Sequence, residues 1–177
     1  MRKRFTTLAL TLALASTSAM ADDLSVSAGI SHHSLDDTPF TSNLAYVGVG
    51  YDVEVTKAFS LMPEFRYSVG LGDDTFVTQT PNGVFETDIE VDRAYQFSLR
   101  GTYQVSSNVG LFLQPTYATT KYEASSLDPM LNTKEENAEW GAGAGFDYDF
   151  NNKSSVELLY ERFGDSDLVS VGYRYKL

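Results

Sequence analysis

From Leu24 to the C-terminus the sequence alternates apolar and polar residues with period two, segment after segment. Successive side chains of a strand point to opposite faces, so the pattern describes strands with one apolar and one polar face. Leu24, Val26, Ala28 and Ile30 are apolar around Ser25, Ser27 and Gly29. The apolar set moves to odd numbers from Ala45 to Val55 and again from Phe59 to Leu71. It continues through Ile89, Val91, Tyr95, Phe97, Leu99, Tyr103 and Val105, then Val109 to Tyr117, Trp140 to Phe150, Val156 to Tyr160 and Val169 to Leu177. That makes eight strands. No run after the N-terminus reaches the ~18 apolar residues of a spanning helix.

The links between these segments are unequal. Thr56-Lys57, Ser106-Ser107-Asn108 and Asn151-Asn152-Lys153 read as tight turns, whereas His32–Ser42, Gly72–Asp88 and Lys121–Asn137 read as long polar links. Only the last connection, at Asp165-Ser166, is short where a long one is due. Short turns at one end and long loops at the other are the pattern of transmembrane barrels. Several segments also reach the ~9–11 residues that a tilted strand needs to cross a bilayer. Aromatic residues stand near strand ends on the apolar face: Tyr51, Phe59, Tyr67, Tyr103, Phe150, Tyr160 and Tyr175. The expected fold is all-β, an eight-stranded antiparallel up-and-down transmembrane β-barrel, with the long loops outside. A soluble periplasmic β-barrel or sandwich has the same alternation and is the alternative.

Residues 1–21 read as a signal peptide: Arg2, Lys3 and Arg4, a short apolar core from Leu8 to Ala15, and small residues Ala19 and Ala21 at the cleavage positions. The barrel domain is then 22–177. The chain has no cysteine, which excludes disulfides, thiolate metal sites and a lipidated N-terminal cysteine. A net charge of −11 excludes nucleic acid as a partner, because phosphate binding needs basic surface.

The C-terminal segment ends in Ser170, Gly172, Tyr175 and Leu177. It resembles the terminal assembly signal of bacterial outer-membrane barrels: a polar residue, a glycine two later, and apolar or aromatic residues at the third-last and last positions. Phenylalanine is commonest where Leu177 stands. With eight strands and a signal peptide, the chain resembles the small OmpA/OmpX-like outer-membrane barrels. The resemblance implies an integral protein of the Gram-negative cell outer membrane. It also implies partners: outer-membrane lipid and lipopolysaccharide, and the assembly machinery during biogenesis.

An eight-stranded barrel is just wide enough to be filled by its own side chains. The polar parity includes Glu64, Arg66, Arg100, Asp147, Glu157, Glu161 and Arg174. Inside a closed barrel these acids and bases must pair, giving a plug rather than a channel. With Asp165-Ser166 as a two-residue loop, Glu157 faces Arg174 and Glu161 faces Ser170, and pairing Phe150 with Ser154 sets Asp147 beside Glu157. Pro63 and Pro115 break strand rules, so a bulge or an unpaired amide is expected at each. The expected role is structural or surface-interacting, as in adhesion or envelope integrity, not an open porin, with no cofactor.

Two other chemistries have candidate residues. His32 and Ser34 resemble the His-x-Ser arrangement of lipid A deacylase barrels, in which histidine activates a serine nucleophile, but Leu35 follows where that family has asparagine. The bland reading is a polar loop base. Asp73, Asp74, Glu86 and Asp88 make one long link acidic, and Glu123, Asp128, Glu135 and Glu136 another, without calcium-loop spacing. Thr75-Phe76-Val77 and Val84-Phe85 can extend a hairpin beyond the membrane and offer an edge to a surface partner.

Overall fold

The computed structural model describes residues 23–36, 41–80, 83–126 and 133–177, with side chains outside 73–90 and 123–134. Residues 1–21, expected to be a signal peptide, the loop centred on Asp37 and the tip around Pro129 lie outside the described residues. In chain order the strands are β1 (Leu24–Leu35), β2 (Thr41–Tyr51), β3 (Val53–Thr56), β4 (Phe59–Gly70) and β5 (Asp73–Thr80). Then follow β6 (Gly83–Gln104), β7 (Val109–Ser126), β8 (Thr133–Asn151), β9 (Ser154–Phe163) and β10 (Ser166–Lys176). β3 continues β2 past Asp52, and β5 continues β4 past Gly72. All pairings are antiparallel; β2 with its continuation β3 pairs β4, β4 with its continuation β5 pairs β6, the other strands pair their sequence neighbours, and β1 pairs β10 to close the barrel. Eight strands surround the lumen. No helix among the described residues is long and apolar enough to cross a membrane; the crossing is made by strands.

The register fixes the barrel's shape. One row of partners runs Ser25, Gly50, Glu64, Ser98, Thr116, Gly141, Phe163, Ser166 and back to β1 at Leu35. The circuit returns ten residues farther along β1. A ten-residue stagger over eight strands requires a tilt of about 40°. Every member of that row faces inward, so side-chain parity is consistent around the whole ring.

The two faces part as the alternation requires. Ile30, Leu113, Phe97 and Trp140 point outward and are 61%, 68%, 59% and 73% exposed. Such a continuous apolar surface belongs in lipid. Along β8 the outward face is apolar from Trp140 to Phe150, a height of about 25 Å at this tilt, matching the apolar band of outer-membrane barrels. Inside, polar residues fill the middle of the lumen. An apolar cluster of Leu44, Val91, Ala118, Phe163 and Leu168 lies above them, toward the long hairpins.

Several expectations are corrected. The links at Gly72–Asp88 and Lys121–Asn137 are mostly strand, because β5 pairs β6 as far as Thr80↔Gly83 and β7 pairs β8 as far as Ala124↔Thr133. Outside lipid neither face must be apolar, so the backbone ladder persists where the alternation that advertises it stops. Val91 is not on the lipid face. A bulge between Val91 and Arg93 moves it by one position, and it is 2% exposed inside the lumen. The prolines sit without bulges: the register is the same on both sides of Pro63 and Pro115. As the unpaired-amide alternative requires, the ladder opens beside them, between β2 and β3 opposite Pro63 and between Ser98 and Gly101 opposite Pro115.

The last hairpin turns at Gly164-Asp165, with Gly164 at φ +44°, and Phe163 faces Ser166. Glycine takes this left-handed conformation without steric cost, which draws the turn one residue earlier than Asp165-Ser166. Glu157 therefore faces Gly172, Glu161 faces Leu168, and Arg174 faces Ser155. A two-residue shift keeps every side chain on its expected face. Across the preceding turn Asp147 does face Glu157, although Asn151 rather than Phe150 partners Ser154, with an irregularity between Asp149 and Asn151.

Candidate functional site

Six charged residues meet in the middle of the lumen. β4 supplies Glu64 and Arg66, β6 Arg100, β9 Glu157 and Glu161, and β10 Arg174. Glu64 touches all three guanidinium groups: Arg66 at 3.1 Å, Arg100 at 3.4 Å and Arg174 at 2.7 Å. Glu157 does the same, at 3.4, 2.6 and 3.1 Å. Glu161 takes the remaining side of Arg66 at 3.6 Å, with Gln114 Nε2 donating at 2.9 Å and Thr116 Oγ1 at 2.7 Å. None of the six side chains is more than 8% exposed. Three cations and three carboxylates leave no net charge in the layer. That balance is what makes ionised groups tolerable away from water.

The neighbours hold this layer in place. Ser27 Oγ donates to Glu64 at 3.1 Å, and Tyr46 Oη donates to Glu157 at 3.2 Å. The Arg100 guanidinium lies 3.9 Å from the centre of the Phe112 ring, and Arg66 lies 5.1 Å from that of Tyr46. Glycines leave the room. A methyl group at Gly143 would come within 2.6 Å of Glu161 Cγ, and one at Gly172 would collide with the Tyr46 hydroxyl.

Asp147 stands apart from the other predicted network residues. It is half-buried toward the tight-turn end, and its Oδ2 has no hydrogen-bond partner among the described residues. Arg174 serves Glu64 and Glu157, not Asp147. Sequence reasoning missed Tyr46, Phe112 and Leu159, which are 3%, 2% and 1% exposed. Their signal was present as bulky residues on an otherwise polar parity. The terminal residues Ser170 and Gly172 face the lumen, where Ser170 Oγ lies 2.8 Å from Ser31 Oγ, while Tyr175 and Leu177 face outward.

His32 faces outward, and its Nδ1–H donates to Asn43 Oδ1 at 3.0 Å. Ser34 lies two residues along the same face, about 7 Å of strand away. At the same end Arg162 joins two connections. Its Nη1 donates to Asp36 Oδ1 at 3.1 Å and lies 2.9 Å from Asp167 Oδ2, while its Nη2 also bonds Asp36. The Asp36 amide donates to Asp165 O at 2.8 Å. The hydrogen bonds from Arg162 hold the Asp36 carboxyl below its ordinary value. Among the described residues no cluster of His, Asp and Glu is arranged to hold a metal ion.

A closed, lipid-faced barrel with a polar lumen narrows the comparison to one group of proteins. Residues 6–175 match the outer membrane protein beta-barrel domain. The chain belongs to that family. It is an integral outer-membrane protein, and its apolar outer face meets lipid. Ail of Yersinia pestis has the same fold, with a TM-score of 0.57 at 15% identity over 86% of this chain and 97% of Ail. Neisserial surface protein A gives 0.57 at 14% identity, over 88% and 97%. The outer membrane enzyme PagL gives 0.50 at 12% identity, over 86% and 99%. At these identities the likeness extends to fold alone. No curated protein matches the sequence significantly.

Proposed function

We propose that this barrel is a structural, surface-interacting component of the outer membrane whose lumen is a charge-paired plug. The observation that carries this reading is the layer of three arginines and three glutamates, with Glu64 and Glu157 each bridging all three cations. A water-filled pore would leave such groups hydrated; here they bond one another and exclude water. The long hairpins are placed outside the cell, as in other barrels of this type, where β5 to β8 reach beyond the apolar band and face surface partners and lipopolysaccharide. Ail has been crystallised with the heparin analogue sucrose octasulfate. A polyanion of that kind is a poor match for this chain, whose net charge is −11 and whose described rim carries Glu135 and Glu139 beside the ion pairs Asp36–Arg162 and Glu136–Lys121. Ser170, Gly172, Tyr175 and Leu177 are proposed as the assembly signal read by the insertion machinery.

The reading is non-enzymatic. The His32 ring is engaged by Asn43 rather than aimed at Ser34, which supports a structural role for the pair. The deciding experiment is planar-bilayer recording of the purified barrel. The expected result is no stable conductance step, and large, long-lived steps reproduced across preparations overturn the plug.

A further inference from the structure

A groove crosses the upper edge of the apolar band on the outer face of β10, β1 and β2. Its volume is about 560 Å³, within the ~300–1,000 Å³ of sites that hold small molecules. The register lays out its floor. Val171 faces Ile30 in one row, and Val169, His32 and Asn43 form the next, one step nearer the long hairpins. Thr41 closes the upper end. Leu71, just past β4, makes a side wall, and its amide donates to the Asn43 carbonyl at 2.8 Å. Ser31 and Ser42 are buried on the inward parity, so they border the groove through backbone, and Gly72 brings no side chain.

The groove changes character along its length. Ile30, Val169 and Val171 offer only hydrocarbon, whereas His32 and Asn43 stand exposed where the apolar face ends. His32 Nδ1–H is engaged by Asn43 Oδ1, which leaves His32 Nε2 as an acceptor and the Asn43 amide nitrogen as a donor. Neither is bonded to another described residue. No lysine, arginine, aspartate or glutamate is among the described residues that line the groove. The Arg162 guanidinium at this end is taken by Asp36 and Asp167. A phosphate or carboxylate head therefore finds no cation here, while a head that both donates and accepts is matched twice. The groove is continuous with the surface that meets lipid, so its occupant enters from the bilayer. We propose that it is a site for one membrane lipid, its acyl chain along Ile30 and Val171 and an uncharged hydroxyl head on His32 and Asn43. This goes beyond the surface role proposed above, needs only the barrel's place in the membrane, and uses no residue of the plug. The orientation of the barrel decides only which leaflet supplies the lipid.

The test is methyl-resolved NMR of the full barrel in nanodiscs of phosphatidylcholine, whose headgroup accepts hydrogen bonds but donates none. Monomyristoylglycerol, methyl myristate and myristyl phosphate are each titrated in as a fraction of the lipid. Saturable shifts of the Ile30, Leu71, Val169 and Val171 methyls are expected with the monoglyceride, at a fraction about fivefold lower than with either of the others. His32→Ala should weaken the monoglyceride about fivefold, the loss of one hydrogen bond, and leave methyl myristate, which has no donor, unchanged. Asn43→Ala should weaken the monoglyceride to a similar degree. Val169→Trp, which fills the floor, should abolish the saturable response while the protein keeps its heat-dependent electrophoretic shift. If that variant fails to fold, His32→Ala and the lipid series still decide. The proposal is overturned if methyl myristate or myristyl phosphate binds equally, if His32→Ala has no effect, or if methyls on the far wall, such as those of Leu111 and Leu113, respond alike. It also falls if the shifts follow barrel concentration rather than lipid fraction, since the occupant is then a second copy. Conductance through the purified barrel would overturn the plug and leave this site standing.

Discussion

Removing Arg174 tests the plug at a cation that bridges Glu64 and Glu157. Its Nη2 lies 2.7 Å from Glu64 Oε1 and 3.1 Å from Glu157 Oε2, with the side chain 8% exposed. A unit pair at 4 Å is worth about 4 kcal/mol at an effective dielectric of 20. Arg174 makes two such contacts, offset by repulsion from Arg66 and Arg100. Arg174→Ala leaves three carboxylates against two guanidinium groups, and stranding a buried charge costs about 3–5 kcal/mol. Val171→Ala, on the lipid face, removes two carbons and should cost no more than about 1.6 kcal/mol. Urea unfolding in phospholipid bilayers, followed through the single tryptophan, reads the difference. That residue, Trp140, is 73% exposed on the lipid face, so its emission shifts when it leaves the apolar surroundings. Adding Glu157→Gln to Arg174→Ala restores neutrality and should recover at least about 1.5 kcal/mol. The reasoning fails if Arg174→Ala is no worse than Val171→Ala, or if the double variant is no more stable than the single one.

Gly172→Ala should destabilise the barrel by about 1–3 kcal/mol through overpacking against the Tyr46 hydroxyl, and adding Tyr46→Phe, which removes that oxygen, should recover part of the loss in the same assay. The Arg162–Asp36 link contributes fully above the ordinary aspartate value of ~3.9 and is lost as the pH falls through the depressed value of Asp36. The protection of the Asp36 amide, its exchange measured against the intrinsic rate at each pH, should therefore fall at acid pH in the native protein, whereas Arg162→Gln should show the low protection already at neutral pH. Purified barrel should release no fatty acid from lipid A; release that disappears with both His32→Ala and Ser34→Ala would make the protein an enzyme.

The alternation of Leu24 to Ile30, Ala45 to Val55 and their successors was enough to specify strands with two unlike faces, and their number with the unequal links favoured a transmembrane barrel over a soluble barrel or sandwich, with the pairing of β1 and β10 showing the closure. This legibility has a physical cause: lipid demands an unbroken apolar face over ten or so residues, and period two writes that demand directly into the sequence. The same parity put Glu64, Arg66, Arg100, Glu157, Glu161 and Arg174 in the lumen. It could not say which carboxylate meets which guanidinium. A two-residue change at the Gly164 turn leaves every face intact yet moves Arg174 from opposite Glu157 to opposite Ser155, and the ion pair forms only because the long arginine reaches diagonally. Val91 was lost to a one-residue bulge and the upper part of β8 to the absence of lipid around it, whereas the extension through Thr75-Phe76-Val77 and Val84-Phe85 was legible and is the β5–β6 pairing. The contacts of Tyr46, of Phe112 and of the apolar cluster above the plug exist only through closure, because β2, β6 and β7 bring their inward residues together across a lumen that no local pattern measures. Faces are set along one strand by the medium on each side; partners are set across strands by register, stagger and the space that glycines leave.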